Sequence, residues 1–193
     1  MELLFGIVAF ILFIIYDIEQ ARLLPLNLHR FAKFFFVIGF FLLFVATVLA
    51  VRRIGFDRLQ NSVSACCYFV IAFLFLALLI YTLFFALPFN ETYVKQNGQR
   101  THDKGMYALC RHPGVLWFGG FYFFLWLALG SKLLLQMAVT YTVLNIGYVI
   151  LQDKVVFPRI FFDYEGYKKR VPFLIPTFKS VKRCIGYYNK FCG

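Results

Sequence analysis

Arg111, His112 and Pro113 stand together between long apolar stretches, and this triplet is the chain's densest gathering of groups able to do chemistry. Pro113 fits the first turn of a helix, which puts Arg111 and His112 at that helix's N-terminal end. Unpaired backbone N–H groups at such an end attract an anion. Two cationic or donor side chains beside them make a corner for a carboxylate or a phosphate, approached past Gly105 and Tyr107. Further along, Gln152 and Asp153 directly follow the last apolar run, and Asp153 facing a bound cation would be its counter-charge. Tyr164 and Tyr167 share one face if their segment is helical and could stack on a planar or cationic ligand. Arg170 precedes Val171-Pro172 and Ile175-Pro176, prolines that stiffen the chain and fix where Arg170 points. Together these groups describe a pocket with an anion corner, one carboxylate and aromatic walls, suited to a zwitterionic, aromatic-bearing cofactor. The chain has no GxGxxG and no Walker loop, so a nucleotide cofactor would need a different scaffold.

The elements that must position these residues are membrane helices. The chain of 193 residues is 62% hydrophobic and 21% aromatic, with mean hydropathy +0.75, against roughly 45–50% apolar in soluble domains. A spanning helix needs about 20 mostly apolar residues, and runs at 3–16, 31–51, 65–87, 115–130 and 133–151 are candidates. The expected fold is therefore all-α: a polytopic membrane bundle of about five transmembrane helices, with a cytoplasmic C-terminal helical cap. It forms a single integral membrane domain, with three N-terminal spans over 1–95, a core bearing the polar groups over 96–178, and a basic tail over 179–193. The first run starts after the acidic Glu2 and has no small-residue cleavage site, which reads as a retained helix rather than a signal peptide. Gly130-Ser131-Lys132 leaves room only for a tight hairpin turn between the last two spans.

Net charge is +11, and its distribution sets an orientation. With the C-terminus cytoplasmic, inside segments 17–33, 89–114 and 153–193 hold 16 Lys/Arg, whereas 52–64 and the hairpin turn hold 4. The positive-inside rule then gives N-out and C-in, with Arg52, Arg53 and Arg58 as the misfits. The Arg111-His112 loop and the tail after Asp153 fall on one cytoplasmic face, because the hairpin between them returns to its starting side. The sequon Asn90-Glu91-Thr92 falls on that same side and would not be glycosylated. Basic residues scattered among apolar spans point to membrane lipids as partners and away from nucleic acid. The five cysteines show no metal-binding or disulfide spacing, and Cys184 or Cys192 could carry a palmitoyl chain.

At these residues the chain resembles the integral membrane methyltransferases that include isoprenylcysteine carboxyl methyltransferases and phosphatidylethanolamine N-methyltransferases. The resemblance is carried by Gly105, Tyr107, Arg111, His112 and Pro113, then a helical hairpin, then Tyr164-x-x-Tyr167 and Val171-Pro172-x-x-Ile175-Pro176, over roughly residues 100–178. It implies methyl transfer from S-adenosylmethionine to a lipid, prenylated or other lipophilic acceptor. The implied cofactor-binding set is Gly105, Tyr107, Arg111, His112, Pro113, Gln152, Asp153, Tyr164 and Tyr167, with Arg170 and Asp153 as catalytic residues and no metal. Where the family has a Glu-Glu pair, this chain has Gln152-Asp153, and Val115 and Trp117 replace the residues usual after Arg-His-Pro. A carboxylate acceptor would need only Arg170 to aim it. An amine acceptor would need a base, for which Asp153 or Glu165 would serve. The same pattern also resembles sterol-type reductases, which would imply NADPH, and a scaffold without catalysis is the third reading.

Overall fold

The computed structural model describes residues 1–23, 29–86 and 100–189, and among these it consists of helices and loops without a strand. Five long helices build the body: α1 (Glu2–Gln20), α2 (His29–Ile54), α4 (Val63–Ile80), α6 (Pro113–Leu129) and α7 (Lys132–Leu151). Short helices join or cap them: α3 (Asp57–Asn61), α5 (Met106–Leu109), α8 (Phe157–Ile160), α9 (Tyr164–Arg170) and α10 (Phe178–Asn189). The all-α bundle expected from the apolar runs is what the chain forms. Three helical stretches, Phe31–Ile54, Val63–Phe85 and Lys132–Ile160, are long and apolar enough to cross a membrane, whereas the apolar helix α6 has 17 residues. α1 is apolar over its centre but carries Glu2, Asp17 and Glu19. The sequon and Cys192 lie outside the described residues.

α1 packs on α2 and α7, and α6 packs between α4 and α7. Apolar side chains give helices little reason to associate in lipid, so small residues that allow close approach decide the seams. Ala9, Ala46, Ala50, Ala72 and Ala128 are fully buried at these crossings. Gly6 lies against the Tyr141 ring and Gly120 against Phe75, leaving no room for a side chain at either position. Between the seams run aromatic contacts, such as Phe10 edge-on to Phe118 at 6.1 Å and Phe75 stacked on Phe124 at 5.4 Å. Outward-facing Phe34, Phe41 and Phe44 on α2 are each more than 60% exposed, a pattern that belongs in lipid.

The hairpin turn forms as its residues dictate. Gly130 closes α6 in the left-handed region at φ 67°, and the Ser131 hydroxyl accepts from Leu133 N to open α7. Two of the three misfit arginines have local partners here. Arg53 lies 3.6 Å from the Glu2 carboxylate, and the Arg58 guanidinium rests on Gly130 at the C-terminal, electronegative end of α6.

Candidate functional site

Pro113 is the first residue of α6, with His112 as the residue before it. α7 does not stop at its last regular turn: it continues as a π-helical turn over Gln152–Val156 and then into α8. Single π turns widen the helix by a residue and re-aim the side chains on it. Here the turn holds Asp153, 7% exposed, opposite the start of α6.

Two donors converge on one Asp153 oxygen, Oδ1, and a ring nitrogen lies close by. Arg111 Nη1 donates to it at 2.7 Å and Tyr164 Oη at 2.7 Å, while His112 Nε2 lies 3.5 Å away. The Arg111–Asp153 pair is nearly enclosed, at 11% and 9% side-chain exposure. The His112 ring stacks on Phe157 at 5.7 Å and meets Phe173 edge-on at 5.3 Å. Phe173 also lies under the Arg111 guanidinium at 5.3 Å, a cation–π contact in a partly desolvated setting. Burial pushes the His112 imidazole below its ordinary value and the Arg111 charge adds to this, against the pull of Asp153. The ring is therefore neutral near neutral pH.

The backbone fixes this arrangement from both sides. Arg111 N donates to Pro172 O at 2.9 Å, joining the loop before α6 to the chain after α9. Tyr167 Oη donates to Tyr107 O at 2.9 Å, and Tyr107 Oη donates to Thr82 O at 3.2 Å in the π turn that ends α4. Gly105 stands at φ 55° and ψ −130° before α5, a conformation open to glycine and strained for other residues.

An open cleft of about 370 Å³ lies beside these contacts, lined by Arg111, Ile150, Asp153, Lys154 and Phe173. Its size is at the small end of ligand pockets, which run from about 300 to 1,000 Å³. Two buried nitrogens at this corner, Arg111 Nε and His112 Nε2, make no hydrogen bond. Buried donors or acceptors left unpaired cost free energy, so a polar ligand reaching them would gain what the protein leaves unmade.

The residues singled out from the sequence divide into three groups. Arg111 and Asp153 line the cleft, and His112 stands directly behind them. Tyr164 and Tyr167, 2% and 4% exposed, share a helix face as expected, but their hydroxyls clamp Asp153 and Tyr107 from inside the cap. Gly105, Tyr107 and Pro113 shape the loop. Gln152 and Arg170 point elsewhere. Gln152 Nε2 donates to Asp17 Oδ2 on α1 at 2.8 Å, and Arg170 Nη2 meets Asp103 Oδ2 at 3.2 Å. Neither is among the cleft-lining residues. Val115 is buried, and Trp117 Nε1 donates to Thr82 Oγ1 at 3.0 Å, tying α6 to α4. Sequence reading missed Phe173 and Lys154; the signal for Phe173 was an aromatic residue placed directly after the stiffening Pro172. Cys184, considered for a lipid chain, faces inward at 8% exposure.

Comparisons with protein-family models, with curated proteins and with solved structures find no match to this chain.

Proposed function

We propose that this protein is an S-adenosylmethionine-dependent methyltransferase acting in the membrane on a lipid or lipid-like acceptor. One observation carries the reading: a cation, Arg111, and a carboxylate, Asp153, share a cleft with the Phe173 ring, next to two buried nitrogens without hydrogen bonds. The donor set fits a ligand that brings a carboxylate, an ammonium group and a planar ring. The bound cofactor would supply an activated methyl group on a sulfonium, transferred by in-line displacement.

The chain's own part is to hold and to exclude. Arg111 receives the ligand's carboxylate, with its Nε available beyond the bond that Nη1 makes to Asp153. Asp153, kept ionised by Arg111 and Tyr164, faces the ligand's ammonium. Phe173 gives a ring a flat wall. Orientation and water exclusion are the main demands of such a displacement. The cap of Tyr164, Tyr167 and Val171, with Phe157 and Phe161 packed against it, closes the back of the cleft. Ile150, on the last turn of α7, is 37% exposed and gives the cleft an apolar edge suited to a lipid acceptor. Arg170 can aim an acceptor carboxylate only after release from Asp103, a pair that is 51% and 41% exposed and so weakly held. The imbalance of 16 basic residues to 4 supports a cytoplasmic cleft.

Calorimetry on the full chain in detergent, with S-adenosylhomocysteine and separately with NADPH, tests the proposal. S-adenosylhomocysteine should bind, and Arg111→Ala and His112→Ala should each weaken it at least tenfold. Binding of NADPH alone would replace this reading with the reductase, and binding of neither would leave the scaffold. Transfer of a radiolabelled methyl group into a total lipid extract then identifies the acceptor class.

A further inference from the structure

α10 has three faces with three different chemistries. Ser180 and Cys184 are buried against the protein. Phe178 and Ile185, seven residues apart and so on one side of the helix, are 88% and 54% exposed. Lys179 and Lys182 are exposed on the adjoining side, and among the described residues neither has an acidic partner within ion-pair distance. An isolated soluble domain would have little reason to show water a phenylalanine and an isoleucine beside unpaired lysines. Membrane surfaces take this pattern: the apolar edge enters the acyl boundary and the lysines extend to the phosphates.

The location of α10 agrees. Tyr188 Oη lies 3.2 Å from Tyr81 Oη, and Tyr81 begins the last turn of the apolar helical stretch Val63–Phe85. Phe84 and Phe85, still further along that stretch, are 41% and 72% exposed. If exposed phenylalanines at the end of a spanning helix face lipid, the C-terminal end of α10 is at the depth of the bilayer rim. The chain nearby is basic: Lys168, Lys169 and Arg170 close α9, with Glu165 beside Lys168 and Asp103 beside Arg170.

We propose that α10 is an in-plane helix that docks on the anionic surface of the same membrane, with its Phe178–Ile185 edge in the acyl boundary and Lys179 and Lys182 on lipid phosphates. Docking reaches the cleft through contacts already made. Arg183 Nη2 donates to Arg170 O at 2.6 Å, two residues before the Pro172 whose carbonyl accepts from Arg111 N. Tyr187 and Tyr188 pack over Gly105, at the start of the loop that ends in Arg111. α10 thus grips both segments that hold Arg111, and leaflet charge would tighten that grip.

The inference does not depend on methyl transfer, and its test uses no cofactor. Amide hydrogen exchange would be measured on the full chain in nanodiscs of phosphatidylcholine and in nanodiscs containing phosphatidylserine. Amides of 178–189 should exchange at least tenfold more slowly with the anionic lipid. Lys179→Gln with Lys182→Gln should erase the difference while leaving exchange in α2 and α4 unchanged, which reports an intact bundle. Phe178→Ser with Ile185→Ser should give fast exchange in both lipids. Equal exchange in the two lipids for the parent chain, or a lipid difference that survives the double lysine substitution, overturns the proposal.

Discussion

Two polar regions of this bundle are built from similar residues and end up with opposite characters. Toward the α6–α7 turn, Glu2 is 6% exposed and fully engaged. Its carboxylate meets the terminal ammonium at 3.3 Å and Arg53 at 3.6 Å, and its carbonyl accepts from Tyr141 Oη at 2.6 Å. Arg58 fills the space over Gly130. At the other region, Arg111, Asp153, His112 and Tyr164 are more deeply enclosed and closer together, yet Arg111 Nε and His112 Nε2 make no hydrogen bond beside an open cleft. Charge near a span end is therefore no mark of function by itself. What separates the two is convergence of donors that the protein does not use up, next to space a ligand can occupy.

The largest expected effect breaks the comparison at its arginines. Arg111→Ala strips the buried Asp153 of its ion-pair partner, and breaking a buried pair costs about 3–5 kcal/mol. S-adenosylhomocysteine binding should fall with it, by tenfold or more. Arg53→Ala removes a contact of a side chain that is 72% exposed, so stability should move by about 1 kcal/mol or less and binding should not change. Chemical denaturation and calorimetry on both variants decide the matter. Equal losses from the two substitutions would erase the distinction between the regions.

Much of this was legible before any coordinates, for reasons that can be named. Hydropathy located the long helices, because lipid demands apolar length, and Gly130-Ser131 marked the hairpin turn by its backbone chemistry. Pro113 located the helix start next to Arg111. Boundaries were less legible. The apolar run stops at 16, but α1 continues to Gln20, and on that added turn Asp17 accepts from Gln152 across the bundle. Gln152 and Asp153 do not act as one pair, because adjacent helical residues do not share a face. Gln152 turns to α1 and Asp153 to the cleft. Nothing in composition announces a π turn, so the two at Tyr81–Phe85 and Gln152–Val156 were invisible, along with the contacts they create at Thr82 and Asp153.

Glycine substitutions probe the two regions at the backbone, with a smaller expected effect. Gly105 combines φ 55° with ψ −130°, outside the left-handed helical region that other residues can tolerate. A Cβ there would also meet Tyr188 Oη at 3.0 Å. Gly105→Ala should cost about 1–3 kcal/mol and loosen the loop that presents Arg111, weakening ligand binding. Gly130→Ala stands in the ordinary left-handed region at φ 67°, and the atom it displaces is the mobile end of Arg58. The expected cost is about 1 kcal/mol, with no effect on the ligand. Finding Gly130→Ala to be the more damaging would show that the turn, not the cleft loop, is the tighter construction.

Tyrosine hydroxyls give a finer comparison. Tyr164 Oη donates to a carboxylate at 2.7 Å and Tyr141 Oη to a backbone carbonyl at 2.6 Å. Hydrogen bonds to charged groups contribute about 1.5–3 kcal/mol and neutral ones about 1. Tyr164→Phe should therefore destabilise more than Tyr141→Phe, and only Tyr164→Phe should also change affinity at the cleft. A reversed order would mean that Asp153 is held well enough by Arg111 alone.

The smallest effect concerns pH. Burial holds the His112 imidazole below its ordinary value, with Asp153 pulling the other way, so the folded protein favours the neutral ring more than the unfolded chain does. Where both states carry a neutral ring, above the unfolded value of about 6.5, His112 imposes no penalty. As pH falls through that value toward the depressed one, the unfolded chain takes up the proton first and the folded state loses stability. Asp17, whose carboxyl is pushed up to about 6 by burial, acts in the opposite sense over the same interval. The readout is therefore the difference between the parent chain and His112→Gln: the parent's thermal midpoint should fall relative to the variant's between pH 7.5 and 5.5. Among the described residues no imidazole stands at the Glu2 region, so Glu2→Gln should leave the slope over this interval unchanged. A parent midpoint that rises relative to that of His112→Gln on acidification would mean that Asp153, and not burial, dominates the environment of His112.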